Sequence, residues 1–401
     1  MARIGIYGGS FNPPHNGHIL AAQQCVRTLA LDRLLLVPDS APPHKVLPNG
    51  SPTAQQRFEM VQLAARGIVH AEVCDAEVQR GGASYTVDTL RQLKAQYPKD
   101  ELLLLMGTDM FLSFDTWREP DAIGQMAELV CMYRQSADAA LRARLDVQCK
   151  KLRARGCRCR LAENDALELS STTVRRMLFF TCAEAYLPQS VLDYICANRL
   201  YGVGGDYHGL SYDALRAVCL PLHNEKRVAH VIGTSEFAAE LARRYGADAA
   251  IAARAGILHD VTKALGPREQ LALCDRFAVE LLPEERENPK LLHAVTASVV
   301  AREIFGECEA LCSAVRWHTT GKANMTLLEK ILYIADYAEP NRSFDGVERL
   351  RETLSRSLDD ALLLGLSMTM EQLRSKGQTI CGASSAAYAF LQQERNHTCH
   401  S

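Results

Sequence analysis

At 401 residues, with 47% hydrophobic and 23% charged residues, the chain has the make-up of an ordinary globular protein, and its length suggests two domains at roughly 100–200 residues each. A net charge of −2 gives no general electrostatic case for nucleic-acid or membrane binding. No apolar run approaches the roughly 18 residues of a membrane span, and Met1-Ala-Arg-Ile-Gly5 starts a strand with no charged-then-apolar leader, so a cytoplasmic location is expected. The fourteen cysteines are scattered without a Cys-x-x-Cys, which reads as reduced thiols rather than disulfides or zinc ligands.

In chain order, a β-branched run, Ile4–Tyr7, leads into Gly8-Gly9-Ser10-Phe11, and a helix-forming run starts after Gly17-His18. A strand, a glycine turn and a helix start make an anion site, because the backbone can come close and free N–H groups point outward. His15 and His18 are expected to aim two imidazoles at the same phosphates. Leu34–Val37, Leu102–Met106 and Leu129–Tyr133 read as further strands, and 53–65, 87–96, 137–155 and 191–199 as helices. That alternation predicts an α/β doubly wound parallel sheet of Rossmann-like type, with ligands beyond the carboxyl ends of the strands.

Gly107-Thr-Asp109 and Arg134 stand at such ends. Between the second strand and the next helix, 38–52 carries five prolines and reads as an ordered loop over the site, in which His44-Lys45 is placed to neutralise a polyphosphate. Thr86 opens a helix and reads as an N-cap, and Trp117 as either core or a stacking platform. In Leu169-Ser-Ser-Thr-Thr-Val-Arg-Arg176, the hydroxyls are ordinary caps or, with Arg175 one turn in, a phosphate grip through Ser171 and Thr172.

The His-x-Gly-His tetrad at 15–18 resembles the signature of the nucleotidyltransferase superfamily, and Gly8-Gly-Ser-Phe-Asn-Pro-Pro-His-Asn-Gly-His18 is similar to nicotinate-mononucleotide adenylyltransferases. The 169–175 string resembles the superfamily's second motif, with Leu169 in place of Ile. The resemblance implies adenylyl transfer from ATP, with Mg²⁺ on its phosphates, to nicotinate mononucleotide in NAD synthesis. His15, His18, Lys45, Ser171, Thr172 and Arg175 would gather around ATP, and Thr86, Asp109 and Trp117 would hold the pyridine nucleotide. A nicotinamide nucleotide or phosphopantetheine stays open as the acceptor.

Gly202-Val-Gly-Gly-Asp206 reads as a linker, dividing the chain into domains 1–204 and 205–401. After it the apolar pattern is helical throughout, so the second domain is expected to be all-α. His230, His259, Asp260, His293, His318 and Asp336 each adjoin an apolar helical run. Core-facing imidazoles and carboxylates are costly unless paired or metal-bound, so a shared metal site is the common explanation. On a helix, His259 and Asp260 would project about 100° apart and reach neighbouring ions.

The order His, His-Asp, His, His, Asp resembles the HD-domain phosphohydrolases. Leu258-His-Asp-Val-Thr-Lys263, Trp317-His-Thr-Thr-Gly321 and Ile334-Ala-Asp-Tyr-Ala-Glu-Pro-Asn-Arg342 resemble the subgroup that cleaves symmetrical dinucleoside tetraphosphates. That resemblance implies a bis(5'-nucleosyl)-tetraphosphatase giving two ADP from diadenosine tetraphosphate, with iron, as one or two ions, as the metal. Manganese, cobalt and zinc fit the same N/O ligands. Lys263, Thr319 and Arg342 would brace the polyphosphate. An alarmone or a deoxynucleoside triphosphate as substrate, a purely regulatory role, and a homo-oligomer all stay open.

Overall fold

The computed structural model describes residues 1–133, 138–164 and 169–398. Contacts divide the chain into two compact units, Met1–Gly205 and Asp206–Ser401. Among the described residues no helix is long and apolar enough to cross a membrane.

The first unit is built on six parallel strands: β1 (Arg3–Gly9), β2 (Arg33–Pro38), β3 (Ala71–Val73), β4 (Glu101–Gly107), β5 (Glu128–Tyr133) and β6 (Cys159–Glu163). Their order is β3-β2-β1-β4-β5-β6, so the winding reverses between β1 and β4. The Rossmann-like parallel sheet is therefore as expected, with two edge strands added. β3 is only three residues long and β6 carries Arg160 and Glu163, so neither shows the uninterrupted apolar run of a strand covered on both faces. In β4, Leu102 and Leu104 pack into one layer of core and Leu103 and Leu105 into the other, as the two-residue period of a strand requires.

The helices that matter for the first site are α1 (Asn16–Thr28), α2 (Ala54–Ala65), α3 (Thr86–Gln96), α4 (Ala139–Ala154) and α5 (Ser171–Phe179). β1 runs through Gly8 and Gly9, so the turn begins at Ser10. Phe11 takes the left-handed backbone conformation there, φ 45°. α1 starts at Asn16 rather than after His18, because His15 caps it.

The second unit is helical, as expected of an HD domain. Its site is carried by α6 (Glu225–Tyr245), α7 (Ala249–Leu258), α8 (Leu292–Glu303), α9 (Glu309–Trp317) and α10 (Leu327–Ala338). Ala238, Leu241, Ala242, Ala252, Ile331, Ile334, Ala335 and Ala338 are fully or almost fully buried in one cluster that locks α6, α7 and α10 together. At roughly 25 cal/mol per Å² of apolar area buried, such contacts hold the ligand-bearing helix segments in place.

Candidate functional sites

Beyond the carboxyl ends of β1 and β4, at the switch point, lies a cavity of about 680 Å³. Gly8, Gly9, Ser10, Phe11, His18, Lys45, Thr86, Gly107, Trp117, Ser171, Thr172 and Arg175 all line it. His15 does not. Its ring stacks on that of His18, with centroids 3.6 Å apart, and it is buried as the N-cap of α1. Of the two imidazoles it is therefore His18 that stands on the cavity wall, with His15 packed behind it as the cap of α1. Asp109 is exposed on the short Thr108–Leu112 helix, off the cavity wall, and Arg134 falls outside the described residues.

The backbone N–H of His18 donates to Nδ1 of His15 at 3.4 Å, and that of His15 donates to Nδ1 of His18 at 3.2 Å. A nitrogen that accepts carries no proton, so each neutral ring is protonated on Nε2. Burial pushes His15 down to about 4. Burial, then the neighbouring His15 and Lys45, hold His18 well below the usual histidine range. His18 is thus a neutral N–H donor at the cavity wall.

The turn around it is braced by residues the sequence alone did not single out. Arg57 of α2 is 1% exposed and donates to Ser10 O at 2.7 Å, Asp39 Oδ1 at 2.9 Å, Asp39 O at 2.7 Å and Ser40 O at 2.8 Å. Tyr201 donates to Asn12 Oδ1 at 2.8 Å. An arginine in an amphipathic helix ordinarily reads as solvated, so no local signal marks Arg57.

Ser170 is the true cap of α5, accepting from Thr173 N at 3.1 Å. Ser171 donates to Pro13 O at 3.0 Å. Arg175 donates to Asn12 O at 2.7 Å and to Thr172 Oγ1 at 3.0 Å, so the second motif grips the first. Tyr85 occupies the cap position of α3 and Thr86 is its first residue, so Thr86 is not the N-cap. Trp117 packs on Phe114 at 5.4 Å and faces His44 of the proline-rich loop at 6.3 Å between centroids. Lys45 is exposed on that loop.

In the second unit the six expected ligands come together. His230, His259 and Asp260, then His259, His318 and Asp336, then Asp260, His293 and His318 each offer donor atoms within 4.8 Å of one another. The ligands are not all on helices. His259 and His318 are the C-caps of α7 and α9 and Asp260 lies past the helix end, so the two neighbours reach the cluster through a turn instead of a 100° helical step.

Three of the imidazoles are oriented alike. Nδ1–H donates to the carbonyl three residues upstream: His259 to Gly256, His293 to Lys290 and His318 to Val315, each at 2.7 Å. That turns each Nε2 inward. Nε2 of His293 lies 3.3 Å from that of His318 and 3.4 Å from Asp260 Oδ1, while Nε2 of His259 lies 3.5 Å from Asp260 Oδ2 and 3.6 Å from Asp336 Oδ1.

His259 Nε2 and Asp260 Oδ1 are fully buried with no hydrogen-bond partner, a cost of about 1–3 kcal/mol each unless something is bound there. Imidazole nitrogens and carboxylate oxygens suit a divalent transition metal, and Asp260 faces two histidine pairs with its two oxygens, so the residues fit one or two ions. Burial would lower His259, but the Asp260 and Asp336 carboxylates outweigh it and hold it up at about 9. Burial also works against ionisation of Asp260, yet His259 and then His318 keep it well below the usual carboxylate range.

Cations and one hydroxyl ring this cluster. Arg342 Nη2 donates to Asp336 Oδ1 at 2.6 Å, Lys263 Nζ lies 2.6 Å from His293 Nε2, and Thr319 Oγ1 lies 3.1 Å from Nε2 of both His293 and His318. Arg227, unmarked by the sequence reading, donates to Asp260 Oδ2. Its position one turn before His230 on α6 is the signal that would have found it.

Residues 6–177 match the model of the cytidylyltransferase-like family and 227–341 that of the HD domain. A probable nicotinate-nucleotide adenylyltransferase of Shouchella clausii is 42% identical over 139 residues, 35% of this chain and 72% of that protein. Another, of Citrifermentans bemidjiense, is 35% identical over 212 residues, 50% of this chain and 98% of that protein. The crystal structure of a predicted HD superfamily hydrolase involved in NAD metabolism, from Clostridium acetobutylicum, is 35% identical, covers 46% of this chain and 98% of that one, and has a TM-score of 0.45. Matched along nearly the whole of the second of these relatives, the chain belongs to the nicotinate-nucleotide adenylyltransferase family, and it carries an HD domain in its helical unit.

Proposed function

We propose that the protein is bifunctional: an adenylyltransferase acting on nicotinate mononucleotide in NAD biosynthesis, and a metal-dependent hydrolase that splits diadenosine tetraphosphate symmetrically. For the first activity the carrying observation is the neutral Nε2–H donor of His18 beside the β1 turn, at the switch point of the sheet. The phosphate of nicotinate mononucleotide attacks the α-phosphate of ATP in line and pyrophosphate leaves, with Mg²⁺ accompanying the phosphates. No covalent nucleophile is required, only positioning and donors aimed at developing charge. His18, Lys45 and Arg175 supply those donors, Ser171 and Thr172 hold the phosphate-binding turn, and Thr86 and Trp117 line the part of the cavity left for the pyridine nucleotide. Comparing turnover of the nicotinate and nicotinamide nucleotides and phosphopantetheine tests the acceptor; equal use of all three would overturn the assignment.

For the second activity the carrying observation is the convergence of inward-facing Nε2 atoms on Asp260. His230, His259, Asp260, His293, His318 and Asp336 would hold the metal, for which family resemblance favours iron. Held by these residues, a divalent ion would supply polarisation of a phosphoryl oxygen and a bound water whose pKa is lowered to about 7. Arg227, Lys263, Thr319 and Arg342 orient the polyphosphate so that water meets a β-phosphorus, and ADP leaves. Hydrolysis in ¹⁸O-water should put label on the β-phosphate of one ADP per turnover. AMP plus ATP as products would exclude symmetrical cleavage.

A further inference from the structure

Three of the four clustered histidines orient themselves with local backbone, and the fourth has no such means. His259 and His318 sit at helix C-caps and His293 in the first turn of α8, where a carbonyl three residues back is free to accept from Nδ1. His230 lies inside α6, where the carbonyls are taken by the helix's own hydrogen bonds. Its Nδ1 instead lies 3.1 Å from Oε1 of Glu339.

Glu339 is 0% exposed, and the second carboxylate oxygen accepts from the backbone N–H of Asn341 at 2.7 Å and its side-chain amide at 3.0 Å. The same amide also donates to Ala229 O at 3.1 Å, tying the loop to α6 beside His230. α6 makes room for the carboxylate with a glycine. A Cβ on Gly233 would lie 2.3 Å from Glu339 Oε2 and 2.6 Å from Asn341 Nδ2. Glycine in a helix interior costs roughly 0.5–1 kcal/mol relative to alanine, so the close approach of Glu339 gives this one a physical reason. Asn341 satisfies Oε2, and the His230 ring supplies the donor for Oε1, which would be costly to leave buried and unpaired.

We infer that Glu339 is a positioning residue that accepts a hydrogen bond from His230 Nδ1–H and so holds the ring with Nε2 turned toward Asp260 and Asp336, where a metal ion would take it. Nε2 lies 3.1 Å from Asp336 Oδ1 and 3.9 Å from Asp260 Oδ2. Outer carboxylates of this kind set the ring orientation and basicity of a histidine ligand, and their loss typically costs about 10–100-fold in metal affinity. The inference rests on the reading of the cluster as a metal centre.

The test uses the full chain stripped of metal, with Glu339→Ala and Glu339→Gln beside the wild type. Long-range ¹⁵N correlation spectra recorded after reloading with Zn²⁺ should show His230 bound through Nε2 with a slowly exchanging Nδ1–H in the wild type and a rapidly exchanging one in E339A, because the Glu339 acceptor is gone. Titration with Co²⁺ against a chromophoric chelator should show affinity about 10–100-fold weaker in E339A, with E339Q between it and the wild type because the amide oxygen still accepts from Nδ1. Wild-type Nδ1–H protection and Co²⁺ affinity in a folded E339A would overturn the assignment. Should E339A not fold, Glu339→Met, which keeps the volume and removes the acceptor, takes its place, and wild-type protection and affinity in it overturn the assignment. D260A is the control for the underlying reading: if it binds Co²⁺ as tightly as the wild type, the metal centre itself is wrong, whatever Glu339 does.

Discussion

The two sites solve opposite electrostatic problems. In the first unit the cavity wall presents neutral imidazole, hydroxyl groups and a few cations, the setting proposed for a nucleotide that would bring its own charge and counter-ion. Its histidines are pushed down by burial, His15 to about 4. In the second unit the carboxylates and imidazoles are concentrated in the protein, and the same burial is outweighed by opposite charge, so His259 is pushed up to about 9. Burial acts in the same direction on both histidines, and the charged neighbours decide the sign. A site that receives an anion with its counter-ion keeps its rings neutral, whereas a site built to hold a cation gathers negative charge first.

Breaking the second site should give the larger effect. Asp260→Ala removes the carboxylate that faces both histidine pairs, so hydrolysis of the tetraphosphate should fall to background, well beyond the roughly 10–100-fold typical of outer-shell changes, with adenylyl transfer undiminished. Unchanged hydrolysis would mean that the cluster is structural. In the first site, His18→Ala removes one preorganised donor and should lower adenylyl transfer by about 10²–10³, leaving hydrolysis alone. A rate near the wild-type value would reduce the tetrad to a capped turn.

The opposed histidine shifts predict opposed pH limits. His15 takes up a proton more readily in the unfolded chain, so its contribution to stability is complete above about 6.5 and is lost as pH falls toward 4, on the order of 3 kcal/mol. His259 binds its proton more tightly when folded. Its contribution in metal-stripped protein is complete below about 6.5 and is lost as pH rises through 9. Thermal unfolding of metal-stripped protein across this range, with His15→Gln and His259→Gln as references, should show the acid loss in the first unit and the alkaline loss in the second. Reversal of either trend contradicts the electrostatic account. The smallest effect expected is none: fragments ending near Gly204 and starting near Asp206 should each keep their own activity. A folded fragment that is inactive, while the intact chain works, would end the two-site reading.

How much of this was legible from sequence differs by element. The strands β1, β2, β4 and β5 are apolar runs covered on both faces and read directly. β3 and β6 are edges and did not, because a short or charged segment carries no such run. In the helical unit His230, His293 and Asp336 lie within helices, so helical period gives their inward direction, whereas His259, Asp260 and His318 stand at or past helix ends and take theirs from the turns there.

What composition and pattern determined by themselves is local: a glycine turn at a strand end, hydroxyls before a helix, histidines on apolar faces. Those follow from backbone geometry over a few residues. What only the tertiary structure decided is which nitrogen of each histidine faces where. His15 turned inward because it caps α1, three of the clustered rings were aimed by carbonyls freed at helix ends, and His230 was left to a carboxylate 109 residues away. Such partners are long-range or depend on where a helix happens to end, and neither is written in the period of the chain.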